Sequence, residues 1–514
     1  NGAQVIVTQP LTYYLYRLAN VDIRSGTLWI QGSVIVEGDL WLYGGQLIVD
    51  GELLIAGRLH LAGGNLVGGG NVTTQPGSNA TWCGGAITGL SMTVNGQMDL
   101  ACNATKTVNG SNLVIGPTGT ASWTGGAIQL QNGATFTVGV GGSFAIQQPV
   151  ANFYGSGPDS IFIIQGTLLM GVPAQFNMYA YLYNQGLFDC SYGVTYLHGG
   201  GTFTGQINTG PSSNFYFVEG SYYIDVSATL TGSGSYINQG GAIDFRGQYQ
   251  GSSGSFINNG GSLSFSGGVS VSNLNLTGGQ VNFASGSYAL DVITQYGGSV
   301  QVDGSVTVNV SLAIIQGNFT IGDGKVVVNG NATFSGGNVN GLGQITVIGV
   351  VVWVDTVFSG FGSTVFQGPV VISGPSTKII DVRVVVVYGA VDWQGGNIQL
   401  SNGASFNIQV GAVFVVNGAY NITAGVGGGA VVCSGDFIKN SPGDLHIWPV
   451  FNNNGVVIIN VGVIILHGSG TMTGSFVINI GTWIHFVDAF YSFSSTVVFT
   501  GSGAVRFANG SATI

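Results

Sequence analysis

The sequence predicts an all-β fold, a parallel β-helix solenoid with almost no helix. Three observations carry that prediction. A passage is written twice at offsets that change by whole coils. Strand-and-turn signals run throughout without helical periodicity. Glycine pairs fall on a grid near 20 residues.

The duplication comes first. Residues 79–90 read NATWCGGAITGL and residues 331–342 read NATFSGGNVNGL. Residues 123–138 (WTGGAIQLQNGATFTV) match 393–408 (WQGGNIQLSNGASFNI), 197–205 (LHGGGTFTG) match 466–474 (LHGSGTMTG), and 40–47 (LWLYGGQL) match 274–281 (LNLTGGQV). The offsets along the chain run 234, 252, 270 and 269, with two jumps of 18 residues. A solenoid gains length in such parcels, because one added coil restores the register of everything after it. A string of β-sandwiches would take insertions of arbitrary size in its loops.

The strands follow from alternation. SVIVEGDLWLYGGQLIVDGELLIAG (33–57) alternates apolar and polar residues between Gly, Asn and Asp turns. No segment holds a capped 3.6-residue period. Gly-Gly pairs begin at 44, 63, 84 and 125, then at 278, 297, 336 and 395. The expected coil has about 18–21 residues in two or three short strands, with glycine at the corners supplying positive φ. Right-handed coiling is favoured by the crossover rule for parallel strands. The expected divisions are 1–39, an N-terminal cap or docking segment that includes LTYYLYRLANV (11–21); 40–240, the first copy; 241–273, connecting coils; and 274–514, the second copy. The final FTGSGAVRFANGSATI (499–514) still reads as strand and turn. An uncovered edge there would call for more chain or a stacked subunit.

Composition narrows the function classes. Charged residues make up 6% of the 514, the net charge is −10, and Gly reaches 90. A typical soluble domain carries about 25% charged residues. Nucleic acid and anionic membranes both require clustered cations, and only 10 Lys+Arg are present. No run of apolar residues is long enough to span a bilayer. No basic leader precedes an apolar core at the start, so a secreted form would already have lost its signal peptide. The neutral polar surface of Ser, Thr and Asn suits a covering of glycan or of other subunits.

No cluster of catalytic chemistry emerges. The acidic residues stand alone (Asp22, Asp39, Asp50, Asp99, Asp159 and onward), whereas polysaccharide lyases and hydrolases need grouped carboxylates. Asp381 and Arg383 stand at i, i+2 and are expected to share a strand face as an ion pair. Leu-His-Gly at 197–199 matches one element of the polygalacturonase signature, but the rest of that signature is missing. His198 and His467 are equivalent in the two copies, which suits turn geometry better than one active centre. The histidines and cysteines show no metal-ligand spacing, so no metal or cofactor is expected. IGDGK (321–325) is one fragment of a calcium-binding turn without its repeat, hence a plain turn.

Cys83 and Cys102 lie 19 residues apart, about one coil, which places a disulfide between neighbouring rungs within reach. Cys190 and Cys433 occupy positions held by Ile459 and Ile164 in the other copy, so they are expected free and buried. Ten sequons offer N-glycosylation sites at Asn71, Asn79, Asn103, Asn109, Asn275, Asn309, Asn318, Asn331, Asn421 and Asn509. That is a small excess over the roughly six or seven that composition gives by chance. Asn79 and Asn331 are equivalent between copies.

The repeated W-x-GG-x-I-x-L-x-NGA-x-F-x-V motif (123–138 and 393–408) resembles the glycine-rich β-helical surface proteins of microbes and protists. These include large adhesins and the extracellular filament or flagellar-hair proteins of algae and related protists. The resemblance covers most of 40–514 and is one of composition and period. The secretion domain and autotransporter barrel of bacterial adhesins are not recognisable in the sequence. The resemblance implies an extracellular structural or adhesive role and names no ligand. The leading expectation is a non-enzymatic subunit of an extracellular filament, its partner being further copies of itself stacked end to end. The alternatives are an adhesin or carbohydrate-binding stalk, with Trp82, Trp123 and Trp393 stacking on sugars instead of packing at coil corners, and, further off, a polysaccharide-active enzyme.

Overall fold

The computed structural model describes residues 4–7, 16–157, 159–251 and 254–513. Every described residue in regular structure lies in a strand, no helix occurs among them, and all strand pairings are parallel. The fold is an all-β parallel β-solenoid of about 25 turns. The chain divides into two compact units, Asn1–Leu263 and Ser264–Ile514. The division falls inside the 241–273 stretch expected to connect the copies.

In the first unit each coil passes through three faces. One turn runs Gln46–Val49, Glu52–Ile55, Arg58–Leu61 and returns with Asn65–Val67. Asn65 then pairs with Gln46, 19 residues back. Side chains alternate with a period of two, so every second residue of each strand points inward. Leu53, Val72, Met92, Leu113, Phe136 and Phe162 form one such column on the second face, each no more than 1% exposed. Burying a side chain of this size contributes about 1.5–3 kcal/mol. That repeated gain offsets the backbone entropy of each added coil.

Coils extend beyond the expected range, from 18 residues at Ser287↔Ser305 to 26 at Thr135↔Ile161. The growth is at corners. The compact coil turns with Asp50–Gly51 and Ala56–Gly57, whereas a later corner takes the four residues 139–142, closed by a Gly142 N–H to Gly139 carbonyl bond of 2.9 Å.

Residues 1–39 join this ladder where they are described. Gln4–Val7 pairs with Thr27–Ile30, Tyr16–Leu18 with Ser33–Val36, and Val21–Ile23 with Asp39–Leu42. The aromatic start of the expected cap, residues 11–15, lies outside the described residues.

The second unit opens with three long strands, Ser270–Leu276, Ser287–Gln295 and Ser305–Ile314. None contains the glycine that turns a corner elsewhere. Each therefore runs through what later becomes two faces, with a register shift between Leu290 and Val292. Ser305–Ile314 hands over to separate strands Lys325–Val328 and Asn331–Phe334, once Gly330 restores the corner. IGDGK is the plain turn between Asn318–Ile321 and Lys325–Val328.

Candidate functional site

The chemistry of this chain is concentrated at its corners. A tight turn leaves carbonyls that strand pairing cannot satisfy, and a buried carbonyl without a donor is costly. Four cations meet that need. Lys106, Lys378, Arg383 and Lys439 are each 0% exposed, out of 10 Lys+Arg in the chain. The Lys106 ammonium donates to the carbonyls of Cys102 (2.8 Å), Ala104 (3.0 Å) and Gly125 (2.6 Å). Lys378 donates in the same way to Gly374 (2.8 Å), Ser376 (2.8 Å) and Gly395 (2.9 Å). Lys439 donates to the Ser441 carbonyl and to its Oγ, which in turn donates to the Gly418 carbonyl at 2.7 Å. Burial lowers the Lys106 pKa to about 8, opposed by Asp99. The Lys378 and Lys439 values are also pulled down by burial, against Asp355 and Asp444 respectively.

Arg383 corrects the expected ion pair with Asp381. Val382 has φ of 64°, which breaks the strand's alternation and turns Arg383 into the core. Its guanidinium donates to Thr364 Oγ1 (2.8 Å) and to the carbonyls of Gly341, Ser359, Gly343 and Ser363. Asp381 stays outside and accepts from Asn402 Nδ2 at 2.7 Å. Burial brings the Arg383 value down to about 10, so it remains charged at neutral pH.

The tryptophans complete the corners. Trp123 and Trp393 are fully buried, and their indole N–H groups donate to Gly126 and Gly396 carbonyls, both at 2.8 Å. Each accepting glycine follows the glycine whose carbonyl holds a lysine. Gly126 and Gly396 have φ of 70° and 67°, and a Cβ on Gly126 would lie 2.3 Å from the Ala104 carbonyl oxygen. Trp82 is 1% exposed and donates to the Gly84 carbonyl at 3.1 Å. Stacking of Trp82, Trp123 and Trp393 on sugars is thereby overturned, because no ring face is left to solvent.

The two Leu-His-Gly histidines sit in matching stacks. Tyr179 lies parallel to His198 at 4.4 Å between ring centroids, and Trp448 lies parallel to His467 at 3.7 Å. The partners are themselves equivalent at the 269-residue offset. His198 Nδ1 is 3.5 Å from Glu219 Oε1. His467 Nε2 is 2.9 Å from His446 Nδ1, and its pKa is lowered by burial and by His446, against Asp488. Each histidine thus closes an aromatic stack on the preceding coil. Among the described residues, no group of three His, Cys, Asp or Glu side chains is placed to hold a metal ion.

Cys83 and Cys102 are joined, with Cα atoms 4.8 Å apart on successive coils. Cys190 and Cys433 are free and buried, and burial raises both thiol pKa values, that of Cys433 to about 12. Among the sequons, Asn71, Asn79, Asn103, Asn309, Asn318, Asn331 and Asn509 are exposed, while Asn109, Asn275 and Asn421 are half-buried. Several of these amides already bridge coils: Asn309 Nδ2 donates to Asp291, Asn331 Oδ1 accepts from Val350 N–H, and Asn421 Oδ1 accepts from His446 N–H. Two shallow grooves cross the outer faces of the first unit. One of about 430 Å³ is lined by Ser33, Glu52, Asn71 and Thr93, and one of about 500 Å³ by Asn79, Gln97, Thr120 and Ser143.

The sequence reading missed the buried cations, although a signal was present. Lys106 shares the inward parity of Val108, Lys378 that of Ile380, and Lys439 that of Phe437. A lysine in an apolar column must find acceptors or leave the core. Set beside known proteins, the chain matches no family model, no curated protein and no solved structure.

Proposed function

We propose that this chain is a non-enzymatic structural subunit of an extracellular filament, in which β-helices join end to end. The observation that supports it best is the use of the chain's charge. Four of ten cations are buried and bonded to backbone carbonyls, and Lys106, Lys378 and Arg383 reach carbonyls of neighbouring coils. Amide ladders act likewise on the surface, as in Asn440–Asn460–Asn479, where each amide donates to the one a coil earlier at 2.7 Å. These groups hold coil to coil, which is the property a load-bearing rod requires. The joined Cys83–Cys102 pair suits an oxidising, extracellular setting. The exposed sequons provide places for N-glycans on the outer faces. A parallel ladder can continue from one copy to the next through a heterologous contact, and such a contact polymerises without closing. Electron microscopy of the purified protein tests the reading: filaments that lengthen with concentration are expected, and a particle that stays monomeric under all conditions overturns it.

A carbohydrate-binding stalk is the second reading. It rests on Trp448 and Trp483, which are 49% and 45% exposed, unlike the three tryptophans at the corners. Exposed indoles stack on sugar rings. Glycan-array binding lost in Trp448→Ala and Trp483→Ala would favour it over the filament reading.

A further inference from the structure

Two pairs of outward tyrosines lie on successive coils of the first unit with their rings stacked. Tyr196 and Tyr216 are register partners, with centroids 4.7 Å apart and planes at 14°. Tyr154 and Tyr179 have centroids 5.2 Å apart, also at 14°, and are 40% and 39% exposed. None of the four hydroxyls makes a hydrogen bond to another described residue, in contrast to Tyr181, whose hydroxyl meets Thr202 Oγ1 at 2.6 Å. The Tyr154 and Tyr179 rings are exposed to an oxidant, and Tyr196 and Tyr216 are half-buried. The ladder meanwhile holds the two backbones one coil rise apart, about 4.8 Å.

We propose that Tyr196–Tyr216 and Tyr154–Tyr179 are sites of oxidative cross-linking, forming intrachain dityrosine between neighbouring coils. The co-reactants are a peroxidase-type one-electron oxidant and hydrogen peroxide. Each phenol gives up one electron and its hydroxyl proton. The two phenoxyl radicals couple through the ring carbons ortho to oxygen, forming one C–C bond. The two displaced ring hydrogens move to the oxygens and restore both phenols. Hydrogen peroxide takes up the two electrons and two protons and leaves as two waters. Holding the rings in contact turns a bimolecular radical coupling into an intramolecular one, with a large gain in effective concentration. The product is a covalent rung of the same kind as Cys83–Cys102, spanning 20 residues for Tyr196–Tyr216 and 25 for Tyr154–Tyr179.

The proposal does not depend on the filament reading, since both rings of each pair belong to one chain. More exposed tyrosines provide an internal control. Tyr192, Tyr296 and Tyr388 are 57%, 53% and 51% exposed, and among the described residues no aromatic ring is stacked against them. If access alone governed coupling, they would react first and would join separate molecules.

The test treats dilute purified protein with a haem peroxidase and hydrogen peroxide, isolates the monomer by size, and maps cross-linked peptides by mass spectrometry. The expected result is dityrosine fluorescence in the monomer, with the loss of two hydrogens mapped to Tyr196–Tyr216 or Tyr154–Tyr179. The double variant Tyr179→Phe, Tyr196→Phe keeps both stacks and should cut monomer dityrosine at least five-fold, whereas Tyr388→Phe should leave it unchanged. Dityrosine confined to dimers and larger species, links mapped to other tyrosines, or no coupling at all would each overturn the proposal.

Discussion

Replacing Lys378 by methionine separates its charge from its packing. Methionine keeps most of the buried stem and removes the ammonium. The carbonyls of Gly374, Ser376 and Gly395, now bonded at 2.8, 2.8 and 2.9 Å, then lose their donor inside a closed corner. At about 1 kcal/mol each, the low end for a buried group left unpaired, the loss is about 3 kcal/mol. Relief from burying an uncompensated charge offsets part of this, and the charged character of the lost bonds adds to it. Denaturant unfolding measures the total. Hydrogen exchange locates it, because a solenoid loosens coil by coil. We expect Lys378→Met to lower stability by about 3 kcal/mol, with amide protection lost around residues 374–398. The matched control is exposed Lys325→Met, expected within about 0.5 kcal/mol of the parent. If the two variants behave alike, the cation does not hold the corner and the reasoning fails.

Further outcomes follow from the same corners. Trp123→Phe should cost about 1 kcal/mol by removing the indole donor to Gly126, and Trp123→Ala about 3–5 kcal/mol, read from thermal unfolding; equal losses would deny the hydrogen bond a role. Opening Cys83–Cys102 with a reductant frees a loop of 19 residues and should lower stability by about 3 kcal/mol on the chain-entropy model. The paired Cys83→Ser, Cys102→Ser variant should reproduce that loss without reductant. His60, His467 and His485 all have pKa values pulled below 6.5, with burial the first cause of each. Above 6.5 both folded and unfolded rings are neutral and nothing changes. As pH falls below 6.5 the unfolded chain takes up protons first, so stability falls until the folded rings titrate. His467→Phe keeps the stack on Trp448 and should flatten that acid slope, measured as melting temperature against pH.

The fold was legible because its period is written in residues that cannot be moved. Inward Val, Leu, Ile and Phe alternate with outward polar groups, and Gly126 and Gly396 mark the same corner in both copies. The expectation went astray where a local conformation broke the alternation. Val382 adopts φ of 64°, which a β-branched residue does not announce, so Arg383 moved from an expected surface pair into the core. The long strands were readable in retrospect, since 305–314 contains no glycine. The corner chemistry was harder to read. Lys106 and Lys378 betray themselves only by parity, and one of the three carbonyls that hold each comes from a turn on the neighbouring coil. The tryptophan at 123 carried two readings, and its full burial, with the indole bonded to Gly126, decides between them.

The claim that copies join end to end is tested most directly by X-ray diffraction from oriented assemblies of the purified protein. Coil rise is about 4.8 Å along the axis of a parallel β-helix. End-to-end joining puts that reflection on the meridian, parallel to the filament. A reflection of about 4.8 Å on the equator would mean that the solenoids lie across the filament, and would contradict the account.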